Sequence, residues 1–120
     1  MKNLSFVSCD AFVASVLAIA NSCPDGFTVN ASTFEPVASG YSVAIEETQN
    51  SFGPDGLAAV YDAIMAGLAD CVGGWYDSES GLYYFDAVNI YSEEFAAIEA
   101  GRRNGQIAIF NLDTCKEIRL

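Results

Sequence analysis

Histidine is absent from this 120-residue chain, and only five of its residues are basic. Without an imidazole, neither a Ser-His-Asp nor a Cys-His arrangement can form, and a general base would have to be a carboxylate, a tyrosine or a thiolate. The lysine and the glycine spacing of a phosphate-binding loop are missing as well. We therefore predict that the chain is not an enzyme and has no catalytic site, cofactor site or metal site.

Positive charge is nearly missing from the first hundred residues, where Lys2 is the single basic residue. Sixteen acidic residues give the whole chain a formal net charge of -11. Such a surface repels phosphate backbones, so direct binding of nucleic acid is not expected. The acidic surface either serves solubility alone or meets a protein partner with a basic surface.

Closely spaced cysteine pairs and long apolar runs are also missing. The four cysteines, Cys9, Cys23, Cys71 and Cys115, include no Cys-x-x-Cys pair, so free thiols are expected rather than a zinc site. A disulfide between Cys9 and Cys23 is conceivable only in an exported protein. The apolar run "FVASVLAIANSC" is too short to span a bilayer and follows a single basic residue. We expect a cytoplasmic protein with no membrane segment.

Hydrophobic periodicity and turn residues predict one α+β domain over residues 1–120. The predicted elements are an N-terminal helix in residues 1–23, an extended arm and first strand in 27–47, a helix in 54–70, a β-hairpin in 71–91, a helix in 92–103, and one or two C-terminal strands in 106–120. The helix over 92–103 has a predicted buried side that consists of Phe95, Ala97, Ile98 and Gly101.

From Tyr41 onward the predicted order is strand, helix, strand, strand, helix, strand. This is the order of a ferredoxin-like split βαβ fold, an antiparallel sheet with two helices on one face. The N-terminal helix is additional to that arrangement. It would pack at an edge of the sheet, on the second face, or against another subunit.

Aromatic residues are concentrated in the hairpin "CVGGWYDSESGLYYFDAVNIY". The stretch is similar to the first hairpin of a WW domain, but Trp75 is the only tryptophan, so that interpretation fails. Alternation divides the predicted strand over residues 82–91 into one face with Tyr83, Phe85, Ala87, Asn89 and Tyr91 and another with Leu82, Tyr84, Asp86, Val88 and Ile90.

Three of the residues on the first of these faces, Tyr83, Phe85 and Tyr91, form a predicted aromatic face that is too apolar for an ordinary solvent surface. It would be covered by the N-terminal helix, buried in a homodimer, or exposed as a ligand platform. Base stacking of the kind found in RNA-recognition motifs is disfavoured because no basic residue lies between Lys2 and Arg102.

Charged side chains supply the remaining candidate residues. The predicted acidic face, which would contact a basic partner, consists of Glu46, Glu47, Asp77 and Glu79. Arg102 and Arg103 end the last predicted helix, where positive charge is favourable, and could also form a small basic contact. Asp77, Glu79 and Asp86 could approach one another and hold a calcium ion, although a solvated acidic turn is the simpler interpretation.

Three stretches of the sequence together resemble small uncharacterised domains encoded by prophages and other mobile elements of bacteria. The stretches are "GFTVNASTFEPVASGYSVAI", "GGWYDSESGLYYFDAV" and "EEFAAIEAGRRNGQIAIFNL". The resemblance covers Gly26 to about Glu117. It implies a bacterial cytosol and a phage or conjugative element, and no catalytic residues, since that family has no established activity.

These observations favour a non-enzymatic, acidic protein-interaction module of a bacterial mobile element. Its most specific form is a DNA-mimicking inhibitor that occupies the nucleic-acid channel of a host defence nuclease. One alternative is an accessory or assembly domain that self-associates through the aromatic face. The other is a small enzyme, which would need a cleft with a carboxylate of raised pKa near Tyr83 or Tyr84.

Overall fold

Six β-strands and three α-helices form the fold, as a computed structural model describes it over residues 8–120. The helices are α1 (Cys9–Ser22), α2 (Gly53–Met65) and α3 (Glu94–Arg103). The strands are β1 (Phe27–Asn30), β2 (Tyr41–Ala44), β3 (Cys71–Asp77), β4 (Leu82–Tyr91), β5 (Ala108–Asn111) and β6 (Lys116–Arg119). The predicted α+β class is confirmed. No helix within residues 8–120 is long and apolar enough to cross a membrane.

The strands form one antiparallel sheet in the order β1-β3-β4-β2-β5-β6. Strand β1 belongs to the segment predicted as an extended arm, and it pairs with β3 at one edge of the sheet. Strand β6 occupies the other edge, where it pairs with β5. This six-stranded order is unusual, and the ferredoxin-like arrangement predicted from the sequence is not confirmed.

Helix α1 begins at a side-chain cap and buries one stripe of residues. The Ser8 hydroxyl accepts a hydrogen bond from the Ala11 amide at 3.2 Å, which satisfies one of the free N–H groups at the start of the helix. Phe12, Val16 and Ala20 follow at four-residue spacing and are buried. The part of the predicted N-terminal segment that precedes Ser8 lies outside the described residues.

Helix α2 ends five residues before the predicted boundary at residue 70. Gly67 has a φ of 81°, and its amide donates to the Ile64 carbonyl, while the Leu68 amide donates to the Ala63 carbonyl. These two bonds satisfy carbonyls at the end of the helix and form a Schellman motif, which needs a residue with positive φ at this point. The glycine therefore stops the helix although the apolar spacing continues.

All three helices pack on one face of the sheet. Helices α1 and α2 cover a core cluster that includes Val72 of β3 and Phe85 of β4. Helix α3 covers a second cluster with Val43 of β2 and Ile109 of β5. Because directly paired residues share a face, the register places both clusters on the same side. The N-terminal helix therefore packs beside α2 on this helix-covered face.

The predicted aromatic face is the one that the helices cover. Phe85 is 1% exposed, and its ring lies 5.2 Å from the ring of Tyr83 between centroids. The Tyr83 hydroxyl donates a hydrogen bond of 2.7 Å to the Cys23 carbonyl at the end of α1. Tyr91 packs half-buried against the cluster under α3. The predicted cover by the N-terminal helix holds for Phe85 and Tyr83, which pack against α1 and α2, whereas Tyr91 packs against α3. Phe85 is not available to a second copy or a ligand.

Helix α3 packs on the sheet through small residues. One residue of its predicted buried side, Phe95, was predicted wrongly. Ala97 and Gly101 are buried as predicted, but Phe95 is 73% exposed. A Cβ added to Gly101 would lie 2.7 Å from Leu120 Cδ1 and 2.8 Å from Ile109 Cγ2, so the helix approaches its neighbours too closely for a larger side chain. Phe95 precedes Ala97 by two residues, about 200° around the helix, and therefore faces solvent.

The cysteines are free, and the geometry of α1 excludes the bridge considered from the sequence. Cys9 begins α1 and Cys23 caps its other end, so the two residues are about 21 Å apart along the helix axis. A disulfide requires Cα atoms within about 7 Å of each other. Burial raises the pKa of the Cys71 thiol to about 12, with a smaller contribution from Asp70, so this thiol is protonated at neutral pH.

The Thr48 side chain accepts a hydrogen bond from β4 at a point where β2 has already ended. After β2 the chain turns into a 3-10 helix, Glu46–Thr48, and the Ala87 amide donates to Thr48 Oγ1 at 3.1 Å. Thr48 is 1% exposed, so no solvent can take over this bond. We expect Thr48→Val to lower the free energy of unfolding by about 2 kcal/mol, because it leaves the amide buried without an acceptor.

The matched control is Thr48→Ser, which keeps the hydroxyl and loses one methyl group. Its expected cost is about 1 kcal/mol. Urea unfolding of both variants, followed by circular dichroism, measures the difference. Equal costs for valine and serine would mean that packing rather than the hydrogen bond makes Thr48 important.

Candidate functional site

Three aromatic side chains form a partly exposed cluster on the sheet face opposite the helices. Trp75 of β3 and Tyr84 of β4 are directly paired, and their rings stack with centroids 5.0 Å apart and an interplanar angle of 21°. Phe52, just before α2, forms an isolated bridge to Tyr84 and places its ring edge-on at 5.8 Å. Trp75 is 48% exposed and Phe52 is 47% exposed. We call Phe52, Trp75 and Tyr84 the aromatic patch.

The connection from β1 to β2 joins one edge of the sheet to its interior. Pro36 pairs beside Val29 of β1, while β2 lies beyond β3 and β4, so residues 37–40 have to pass across the sheet. A Cβ on Gly40 would lie 2.8 Å from Ile90 Cγ2, a side chain on the face opposite the helices. Val88, which is on the same face as Ile90, is only 4% exposed. The aromatic patch lies toward the other end of β4, near the hairpin turn.

Asp86 lies beside the aromatic patch, two residues after Tyr84 on the same face of β4. Its partner in the register is Gly73, which has no side chain. Burial raises the pKa of the Asp86 carboxyl from 3.8 to about 6, and a hydrogen bond with the Trp75 side chain opposes part of that rise. An indole nitrogen can only donate, so the carboxyl is the acceptor. Trp75 thus links the patch to a largely desolvated carboxyl.

The four residues of the predicted acidic face do not form one cluster. Glu46 follows Ile45, whose amide donates to the Ala87 carbonyl, whereas Asp77 pairs with Leu82 at the other end of β4. Five residues of strand separate these positions, which is about 17 Å. Glu46 and Glu47 are exposed at one place and Glu79 is exposed at another.

Asp77 has a structural role in the hairpin turn. Its carboxylate accepts hydrogen bonds from the Glu79 amide at 3.1 Å and the Ser80 hydroxyl at 2.9 Å. Its carbonyl accepts from the amide of Gly81, which has a φ of 74°. Asp77 therefore fixes the turn as an Asx motif, and both of its carboxylate oxygens accept hydrogen bonds within that turn.

The calcium site considered from the sequence does not form. Asp86 lies opposite Gly73, and Asp77 is four residues further along β3, about 13 Å away. Across residues 8–120, no group of three or more histidine, cysteine, aspartate or glutamate residues is placed to hold a metal ion.

The basic residues of the described chain are gathered at one end of the molecule. Arg102 and Arg103 are exposed in the last turn of α3, as the sequence predicted, and Lys116 and Arg119 belong to edge strand β6. One ion pair is present among residues 8–120, between Arg119 and Glu117 at 3.6 Å. The acidic side chains elsewhere on the surface are therefore not neutralised by neighbours.

The elements required by the enzyme alternative are present but separate. A cavity of about 210 Å³ adjoins Tyr83 and Phe85, and none of the residues that line it is acidic. The carboxyl with a raised pKa, Asp86, lies on the opposite face of the sheet. The cavity therefore contains the Tyr83 side chain but no carboxyl group.

No protein-family model, curated protein or solved structure matches the chain. Sequence reasoning did not single out the aromatic patch, although alternation placed Tyr84 and Asp86 together on one face. The Asp86 carboxylate could have indicated which face of β4 is exposed, because a face that contains Asp86 is less suited to the core than one that contains Phe85 and Ala87.

Proposed function

We propose that this chain is a non-enzymatic interaction module whose acidic surface binds a protein partner with a basic surface. The main support is that the acidic side chains are exposed and unpaired. Fourteen of the sixteen are exposed, and within residues 8–120 only Glu117 has an ion-pair partner. Unpaired surface carboxylates produce a negative field that attracts basic proteins and repels nucleic acid.

In its specific form, the module belongs to a bacterial mobile element and acts in the cytosol as a DNA-mimicking inhibitor of a host defence nuclease. The negative field supports this form, because a nuclease channel is built to bind a polyanion. The location of the basic residues supports it too, since α3 and β6 confine them to one end. Self-association through the predicted aromatic face loses its support, because Phe85 is buried under the helices.

We also propose that β2 to β5 with α2 and α3 form a split βαβ unit that β1 and β6 extend. These strands lie in the order β3-β4-β2-β5, and both helices cover the same face. In such an arrangement the sheet face opposite the helices is the face left for partners.

The test is an affinity pull-down of the tagged protein from a lysate of its native bacterium at low and high salt, with mass spectrometry of the retained proteins. We expect a DNA-handling protein that is held at low salt, lost at high salt, and released by added duplex DNA. Recovery of the chain alone at both salt concentrations would overturn the proposal in favour of self-association.

A charge-reversal variant locates the contact. Glu46→Lys, Glu47→Lys and Glu79→Lys are combined, and Asp77 is kept because its carboxylate fixes the hairpin turn. We expect the affinity for the captured partner to fall at least about tenfold. The control reverses three exposed acidic residues outside the predicted acidic face, Asp25, Asp62 and Glu99, and so has the same net charge. Equal losses for both variants would show that no particular face is used.

A further inference from the structure

We infer that the aromatic patch and Asp86 together bind an arginine side chain of a basic protein partner. The inference rests on the proposed function only in that the partner is a basic protein. It adds a defined binding site, the aromatic patch with Asp86, and the group that this site binds, a guanidinium. This site does not contain the exposed glutamates of the predicted acidic face.

The patch offers a platform for a planar group. The stacked rings of Trp75 and Tyr84 lie 21° from parallel, and Phe52 closes one side with its ring at 80° to Tyr84. Almost half of the Trp75 surface is open to solvent. Exposed aromatic rings of this size on a strand are costly to leave in water, and their negative π faces attract cations.

Asp86 supplies the anion that such a cation needs. Its carboxyl accepts one hydrogen bond from Trp75, which leaves further acceptor positions on its two oxygens. Among residues 8–120 no basic side chain forms an ion pair with it. A largely desolvated carboxylate without a cationic partner is unfavourable in the free protein, and an incoming cation would relieve that cost.

Guanidinium suits this arrangement better than ammonium. It is planar, so it can stack on the Trp75 ring while its N–H groups donate to the carboxylate. A lysine ammonium is strongly hydrated and has no flat face to stack. A quaternary ammonium is best held by rings on several sides, and here two of the three rings are stacked on each other. The net charge of -11 gives the required charge complementarity.

Tryptophan fluorescence tests the inference directly, because Trp75 is the only tryptophan in the chain. The probes are two end-blocked peptides of equal charge, Gly-Arg-Gly-Arg-Gly and Gly-Lys-Gly-Lys-Gly, titrated into the full-length protein. We expect the arginine peptide to change the Trp75 emission and to bind about tenfold more tightly than the lysine peptide.

Three variants that retain Trp75 complete the test. Asp86→Asn and Tyr84→Leu are expected to weaken binding of the arginine peptide about tenfold, to the level of the lysine peptide. Tyr76→Leu is the control, because it makes the same substitution at an exposed tyrosine on the helix-covered side of β3 and should leave binding unchanged. Asp86→Asn removes a buried charge, so a loss of binding in that variant is not a result of unfolding.

The outcomes separate this inference from the proposed function. Equal affinities for the two peptides, an unchanged Trp75 emission, or wild-type binding by Asp86→Asn would each overturn the inference while leaving the salt-sensitive capture of a basic partner intact. Selective binding of the arginine peptide without any basic protein in the pull-down would support the site and overturn the proposed function.

Discussion

Phe85→Ala is expected to lower the free energy of unfolding by about 4 kcal/mol. Phe85 is 1% exposed near the middle of the sheet, and its ring lies 6.3 Å from that of Phe27 and 5.2 Å from that of Tyr83. Truncation removes the ring from the core cluster under α1 and α2 and leaves a cavity. The main chain cannot close that cavity, because at Phe85 strand β4 is held by β3 on one side and by the Ser51 carbonyl, which accepts from the Phe85 amide, on the other. Urea unfolding followed by Trp75 fluorescence measures the loss.

Phe95→Ala is the matched control for this prediction. It removes the same group from a residue that is 73% exposed on α3, and we expect a change within about 0.5 kcal/mol. The comparison also tests which side of α3 packs on the sheet. A large cost at Phe95 together with a small cost at Phe85 would show that the helices do not cover the face described above.

Most of the elements could be predicted because their signals are local. The apolar spacing in α1 and α2, and the turn residues between β3 and β4, act within a few residues of the chain. The end of α2 was predicted wrongly although its signal is local too: Gly67 stops the helix, whereas the apolar spacing alone continues to Leu68. Here turn chemistry overrides periodicity.

The use of the two faces of β4 could not be predicted, because it depends on distant parts of the chain. Alternation sorted the residues of the strand correctly, but aromatic residues occur in both sets, so composition did not show which set the helices cover. Val88 adds a further difficulty, since it is buried although it is on the face opposite the helices.

The aromatic patch illustrates the same division between local and distant information. The pairing of Trp75 with Tyr84 depends on local sequence, because a short turn joins the two strands that carry them and sets the register of the hairpin. Phe52 comes from the start of α2, and only the tertiary fold places it against Tyr84. The desolvation of Asp86 is likewise a property of the folded surface.

Asp86→Asn is expected to raise the free energy of unfolding by about 3 kcal/mol at neutral pH, which is the cost of a shift of about two pKa units at 1.36 kcal/mol each. Burial raises the pKa of this carboxyl from 3.8 to about 6 in the folded protein. Between these two values the folded state binds the proton more tightly than the unfolded state does. The contribution of Asp86 to stability is therefore greatest below about pH 4 and is lost as the pH rises through about 6.

Urea unfolding of both proteins from acidic to mildly alkaline pH measures this dependence. The other acidic groups change the stability of both proteins, so the informative quantity is the difference between the two free energies of unfolding. We expect this difference to be small below about pH 4, to grow up to about pH 6, and then to stay constant. A difference that is independent of pH would show that the Asp86 carboxyl is not desolvated.

Trp75→Phe is the control that tests the hydrogen bond to this carboxyl. The Trp75 bond favours the charged form of Asp86, so its loss should move the transition in the stability curve to higher pH, as followed by circular dichroism. Asp86→Asn should thus stabilise the protein and weaken binding of the arginine peptide at the same time. Opposite effects on stability and binding are expected of a residue that serves a ligand, because a residue that serves only the fold would not lower stability at neutral pH.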